Sequence, residues 1–309
     1  MAESWQSVVD GELKRVDDVM RMEVRSAYPE LNRMCEDTLS SRYHSVRPAL
    51  CILSYYANGG KDSDIAVNTA SCFESVFEGL HLHDLVSNDG EIIGVKKKLF
   101  SKAPSTTKII VAGDFMYVMG FRLAYGKVPK VVPYLMQASA SISDAIFKIT
   151  DNLHNADMSE ELCLEVLKGK GAIEYQIIME CAAKQAGVSD EMLSDMRECG
   201  LYIGMALQLE SDLEDIFDEK ATIMTFQTGY PTLPIYYSIQ DPINGKKIRE
   251  LFSEGSDCKE VIDLIRKTDA MERCKGLIED CSSKALAIAE KLPESVHKES
   301  LIAFIRSIQ

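Results

Sequence analysis

Between Trp5 and Val24 the apolar residues Trp5, Val8, Val9, Leu13, Val16, Val19, Met20 and Val24 recur at intervals of three and four, the spacing of one helix face. The chain therefore opens with a helix. Pro29 suits the first turn of a second helix carrying Leu31, Met34, Cys35 and Leu39, which ends in the polar run Ser40 to Ser45. Pro48 suits the first turn of a third, stopped by Asn58-Gly59-Gly60. The same reading predicts helices over roughly 64–86, 105–125, 130–152, 158–186, 190–218, 232–238, 244–253, 258–267 and 270–291, with a short last one from about 296. Strand alternation is almost absent, so the predicted fold class is all-α. No low-complexity linker and no repeat at a fixed period divides the chain, and residues 1–309 are predicted to form a single domain. The long connection 87–104, Ser-Asn-Asp-Gly followed by lysines and Pro104, has the look of a lid beside a site.

Composition narrows the function. Apolar residues make up 46% of the 309, enough for a substantial core. No window reads as an uninterrupted apolar run of membrane-spanning length, and Met1 to Arg25 alternates charged and apolar residues, unlike a signal peptide; the expected location is cytoplasmic. The nine cysteines are scattered and lack a Cys-x-x-Cys pair, which suits reduced, buried thiols. Met116, Met119, Met136, Met179 and Met205 read as core filler. A net charge of −14 is the opposite of what binding a nucleic-acid backbone requires. An anionic ligand would need local cations or bridging metal ions.

Two predicted helices carry carboxylates where their apolar stripes run out. After Asp64 the stripe is Ala66, Ala70, Phe73, Phe77 and Leu80, and the next step of four lands on Asp84, with Asn88 four further. After Asp190 it is Leu201, Met205, Gln208, Asp212 and Asp215. Helical bundles build metal sites from inward-facing carboxylates, and magnesium takes one or two of them while phosphate and water fill its other positions. The plain alternative is that these helix ends reach solvent. His81 and His83, two apart on a helix, point in different directions and do not form a shared metal site.

The residues around these stripes resemble the trans-polyprenyl diphosphate synthase family. Gln208-Leu-Glu-Ser-Asp212-Leu-Glu-Asp215 is similar to its second aspartate-rich motif, Gln-x-x-Asp-Asp-x-x-Asp, and His83-Asp84-Leu-Val-Ser-Asn88-Asp89 to its first. Val46-Arg47-Pro48, Ala112-Gly113-Asp114, Lys170-Gly-Ala and Pro231-Thr-Leu-Pro234 follow the family's order over about 190 residues. The resemblance implies one large helical bundle of the isoprenoid synthase type with a central cavity. It also implies Mg2+-assisted ionisation of an allylic prenyl diphosphate and attack on the cation by isopentenyl diphosphate. By it, Asp84, Asp212, Asp215 and either Asn88 or Asp89 would hold metal. Lys170 and Gln208 would assist the allylic diphosphate and cation, and Arg47 with His44 would hold isopentenyl diphosphate. The family's pairing of subunits implies a homodimer, or a heteromer with an active homologous synthase.

The departures from the family pattern fall on both diphosphate sites. His44 stands where the family has lysine, Phe77 where it has histidine, Leu85 and Ser211 where it has aspartate, and Tyr230 where it has lysine. Glu214 is a candidate substitute ligand among Glu210, Asp218 and Glu219, which read as a solvated acidic face. Gly79 sits where the family often places the side chain that floors the prenyl tunnel, or else serves close helix packing. A reduced prenyltransferase, an impaired partner subunit and an enzyme that uses the allylic diphosphate alone, as terpene cyclases do, all remain open at this point.

Overall fold

The structure is a computed structural model that describes residues 5–41, 46–86, 104–255 and 259–308. Among the described residues there is no β-strand, and the all-α expectation holds. After a short 3₁₀ turn at Ser7–Val9 come α1 (Asp10–Glu23), α2 (Pro29–Ser41), α3 (Val46–Ala57), α4 (Ser63–His83) and α5 (Thr106–Lys127). Next are α6 (Val132–Asp151) and α7 (Glu160–Val166), which runs through a π turn at Leu167–Ala172 into α8 (Ile173–Ala186). The long α9 (Asp190–Phe217) is followed by α10 (Glu219–Thr228), α11 (Leu233–Ile239), α12 (Gly245–Ser253), α13 (Glu260–Ile265), α14 (Ala270–Ala289) and α15 (Val296–Ile305).

The apolar periodicity placed these helices within a few residues, apart from two features. Periodicity gave no helix over α10, whose buried side chains are few, among them Thr222 and Phe226. Its caps define it instead: the Asp218 carboxylate accepts from the backbone N–H groups of Lys220 and Ala221, and Gly229 ends it in the left-handed region at φ 70°. The other feature is the π turn, which interrupts the predicted continuous helix 158–186.

The chain groups into two compact units, each drawn from separate stretches of sequence. The first comprises Met1–Gln137, Ile178–Leu193 and Leu292–Leu301. Its core includes Leu50, Leu53, Phe73, Phe77, Ile109 and Met116. Helices α4 and α5 approach at glycine: a Cβ on Gly79 would lie 2.7 Å from the Gly113 carbonyl oxygen and 2.8 Å from the Tyr117 nitrogen. Gly79 therefore serves close packing, and the space its missing side chain leaves is filled by the α5 backbone. Helix α5 has the length and mean hydropathy, 1.2, of a spanning helix. Its charged residues nonetheless pair within the unit, Lys108 with Glu30 at 2.7 Å and Arg122 with Glu23 at 2.7 Å.

The second unit comprises Ala138–Ile177, Ser194–Lys291 and Ile302–Gln309. Here α9 meets the end of the π turn and the start of α8 at two glycines one turn apart: a Cβ on Gly204 would lie 2.5 Å from the Ala172 Cα, and one on Gly200 would strike the Tyr175 carbonyl. Phe226 and Phe252 pack edge to face at 5.6 Å. Eight described cysteines are buried free thiols, and burial raises each thiol pKa. Met116, Met179 and Met205 are buried as expected, whereas Met136 is 60% exposed and is a surface residue.

Gly79→Ala should cost about 2 kcal/mol, because an added methyl meets backbone that cannot rotate away. Gly126→Ala, with nothing within 4 Å of the new Cβ, should be neutral or stabilising by up to about 1 kcal/mol. Equilibrium unfolding of both variants in urea checks the contrast.

Candidate functional site

In the second unit, the Lys170-Gly-Ala stretch lies in the π turn, one of the local irregularities that often mark functional positions. The turn carries Lys170 so that its Nζ stands 4.6 Å from the centre of the Tyr230 ring, a cation–π contact. Tyr230 is held by the left-handed turn at Gly229, where the N–H groups of Gly229 and Tyr230 both donate to the Thr225 carbonyl at 2.9 and 3.3 Å. The next residue of the turn, Gly171, leaves room for Gln208: a Cβ at 171 would lie 2.7 Å from the Gln208 Cγ.

Gln208 is thereby seated on α9, and its Nε2 donates to Asp212 Oδ1 at 2.8 Å. Burial raises the Asp212 carboxyl to about 7, against the bond from Gln208 and the charge of Lys170, which both favour the ionised form; the neighbouring Asp215 charge adds to the rise. Burial also raises Asp215, with Asp218 and Glu214 contributing. Lys170, Gln208, Asp212 and Asp215 thus form one electrostatically linked cluster in the second unit. Tyr230, seen in the sequence only as a departure from lysine, joins it as the aromatic seat of Lys170. Glu214 is exposed and acts on the cluster through its charge.

In the first unit, α4 ends at Asp84, an exposed C-terminal cap whose N–H donates to the Leu80 carbonyl at 3.3 Å. His83 turns to α5, its Nε2 lying 3.2 Å from both the Ile110 carbonyl and Asp114 Oδ1. A Cβ on Gly113 would come 2.6 Å from that nitrogen, so Ala112-Gly113-Asp114 is the seat of His83. His81 points elsewhere, toward Arg47, at 3.3 Å from its Nη1.

Arg47 lies in the first turn of α3 against one face of α4. Its Nε and Nη2 donate to the two carboxylate oxygens of Glu74 at 2.9 and 3.2 Å, and Nη2 also donates to Glu78 at 2.6 Å. Its guanidinium stands 5.7 Å from the centre of the Phe77 ring. Sequence reading named Arg47 but not its carboxylate partners; the i, i+4, i+7 spacing of Glu74, Glu78 and His81 was the signal available. His44, Asn88, Asp89 and all of the suggested lid 87–104 except Pro104 lie outside the described residues.

Asp212 and Asp215 offer carboxylate oxygens of the kind that a divalent cation takes. Among the described residues no three His, Cys, Asp or Glu side chains converge as a ready-made metal site, and magnesium needs only one or two carboxylates when phosphate oxygens complete its shell. The raised carboxyl of Asp212 is one that a nearby cation would return to its ionised form.

The sequence model of a family described as Polyprenyl synthetase matches residues 28–268. Among known proteins, the octaprenyl diphosphate synthase of Escherichia coli (strain K12) is 24% identical over 269 residues, covering 83% of this chain and 82% of that protein. The heptaprenyl diphosphate synthase component 2 of Bacillus subtilis (strain 168) is 22% identical, covering 98% of this chain and 88% of that one. Among solved structures, the polyprenyl synthase from Caulobacter crescentus CB15 complexed with calcium and isoprenyl diphosphate shares the fold. Its TM-score is 0.85 at 19% identity, with 97% of this chain and 95% of that one covered.

The Asp212 carboxyl fixes the sign of a pH effect. The folded chain keeps this proton up to about pH 7, while the ordinary carboxyl value is 3.8. Between the two the folded state binds more protons than the unfolded, so this group's contribution to stability falls as pH rises. Asp212→Asn should therefore stabilise the metal-free protein by about 2 kcal/mol at pH 8 and by little at pH 4. Urea unfolding at the two pH values measures the difference.

Proposed function

Since the chain belongs to the polyprenyl synthetase family, we propose that it is a prenyltransferase that binds an allylic prenyl diphosphate with magnesium and joins it to isopentenyl diphosphate. The observation that carries this reading is the cluster of Lys170, Gln208, Asp212 and Asp215 on the π turn and α9. By resemblance, Asp212 and Asp215 are assigned to metal in the second unit, and Asp84 and Asn88 to metal in the first. Bound there, magnesium would neutralise charge on the diphosphate leaving group. Lys170, seated on the Tyr230 face, would donate to a diphosphate oxygen, and Gln208 holds Asp212 in place by a hydrogen bond from its side-chain amide.

In the reaction the C1–O bond of the allylic diphosphate breaks and its electron pair leaves with the diphosphate. The double bond of isopentenyl diphosphate attacks the allylic cation, and a proton is lost from the carbon next to the new cation. The chain's part is to bind the two diphosphates and to stabilise the charge that develops on one of them. Arg47 and, by resemblance, His44 are assigned to the second diphosphate. We place this activity in the cytoplasm, where the buried thiols stay reduced, and in a homodimer.

One observation favours a second reading, a partner subunit of an active homologous synthase. Arg47 is already engaged by two carboxylates of its own chain, which weakens its claim on an acceptor diphosphate. The Bacillus subtilis relative is itself named as one component of a synthase. Co-purification with an active homologue supports this reading, and a stable assembly of identical chains that elongates alone opposes it.

Calorimetric titration of the chain with farnesyl diphosphate tests the first reading. Binding should require magnesium, disappear with a chelator, and weaken about ten-fold or more in Asp212→Asn and in Lys170→Met. Equal affinity in all three proteins, or binding indifferent to the chelator, contradicts it.

A further inference from the structure

The Arg47 cluster has a chemistry of its own. A guanidinium presents five N–H donors in a rigid fork matched to phosphate or carboxylate oxygens. In this chain the fork is filled from within, by both oxygens of Glu74 and one of Glu78, with the His81 ring at the remaining nitrogen. In these contacts one guanidinium serves two carboxylates, so an approaching diphosphate has to compete with both for its donors.

The two carboxylates are not equivalent. Glu74 is 2% exposed and grips the Nε edge in two bonds, so it belongs to the packing of α3 on α4. Glu78 is 15% exposed, nearer the end of α4, and takes the Nη2 edge in the shortest bond of the cluster, 2.6 Å. Its carboxylate oxygen occupies the place a phosphate oxygen would take on that edge. The neighbouring Phe77 ring gives the guanidinium an apolar face and offers an anion no donor.

Building on the prenyltransferase reading, we propose that Glu78 is an internal occupant of the acceptor-diphosphate site and sets the chain's discrimination against isopentenyl diphosphate. The allylic diphosphate, assigned to a cluster in the other unit, is not subject to this competition. Such a chain holds one diphosphate readily and the second only when Glu78 is displaced from Arg47. Glu78 is then a specificity-determining residue: its removal changes affinity for the acceptor and leaves affinity for the allylic diphosphate unchanged.

The test is calorimetric titration of the whole chain with isopentenyl diphosphate in a chelating buffer, which silences metal-dependent binding at Asp212 and Asp215. Wild type should bind weakly, while Glu78→Ala should bind roughly ten-fold or more tightly, as expected for removal of a carboxylate beside an anion. Glu78→Gln, which keeps the side chain's size and removes its charge, should gain in the same direction and covers the case in which the alanine variant unfolds. Adding Arg47→Met to either variant should erase the gain. Equal affinity in wild type and both Glu78 variants overturns the proposal, as does a gain that survives loss of Arg47. Farnesyl diphosphate titrated with magnesium into the same variants reports the prenyltransferase reading separately. Unchanged allylic binding beside an unchanged acceptor affinity sinks the Glu78 role alone, whereas absent allylic binding in wild type sinks the broader reading.

Discussion

Backbone approach at glycine seats a side-chain cluster in each unit. In the first unit α4 and α5 meet at Gly79 and Gly113, and that contact brings His83 against the Ile110 carbonyl and Asp114. In the second, Gly171 admits the Gln208 side chain and Gly204 admits the Ala172 backbone, so α9 lies against the π turn that carries Lys170. A side chain at Gly79, Gly113 or Gly204 would separate the helices, because the atoms it meets include backbone, whereas one at Gly171 would displace the Gln208 side chain.

Given that framework, charge decides what each cluster can hold. The chain bears a net charge of −14, so it attracts a diphosphate only where cations outweigh nearby carboxylates or where a metal ion intervenes. The two basic groups tied to family motifs are engaged very differently. Lys170 rests on the face of the Tyr230 ring and acts through its charge on Asp212. Arg47 is held in ion pairs by the carboxylates of Glu74 and Glu78. At Asp212 the sense is the opposite: a half-buried carboxyl raised to about 7 is receptive to a cation. On the proposed reading, one cluster gains a metal with its phosphate ligand, and the other already holds a substitute for its anion.

Much of this was legible in the sequence because helices project a simple period. The stripe Leu201, Met205, Gln208, Asp212 and Asp215 placed two carboxylates and an amide on one face of α9, where Gln208 and Asp212 are bonded. Helix α10 escaped that logic because its stripe of buried residues is thin, although Asp218 and Gly229 mark its ends. The π turn has no period to read, only the alternation Lys168-Gly-Lys-Gly. Partners distant in sequence were the least legible. Arg47 and Glu78 are 31 residues apart, and nothing local announces that a carboxylate one turn after Glu74 will reach the same guanidinium. Likewise the exchange of the family's lysine for Tyr230 reads as a loss, whereas in the fold the ring becomes a support for Lys170.

Incorporation of labelled isopentenyl diphosphate by the purified chain, offered geranyl, farnesyl and geranylgeranyl diphosphates with excess magnesium, tests the central claim most directly. The account predicts slow but measurable transfer of label into a longer prenyl product, requiring both the allylic primer and magnesium. A folded, helical protein that incorporates no label with any primer would contradict it and leave the partner-subunit reading in its place.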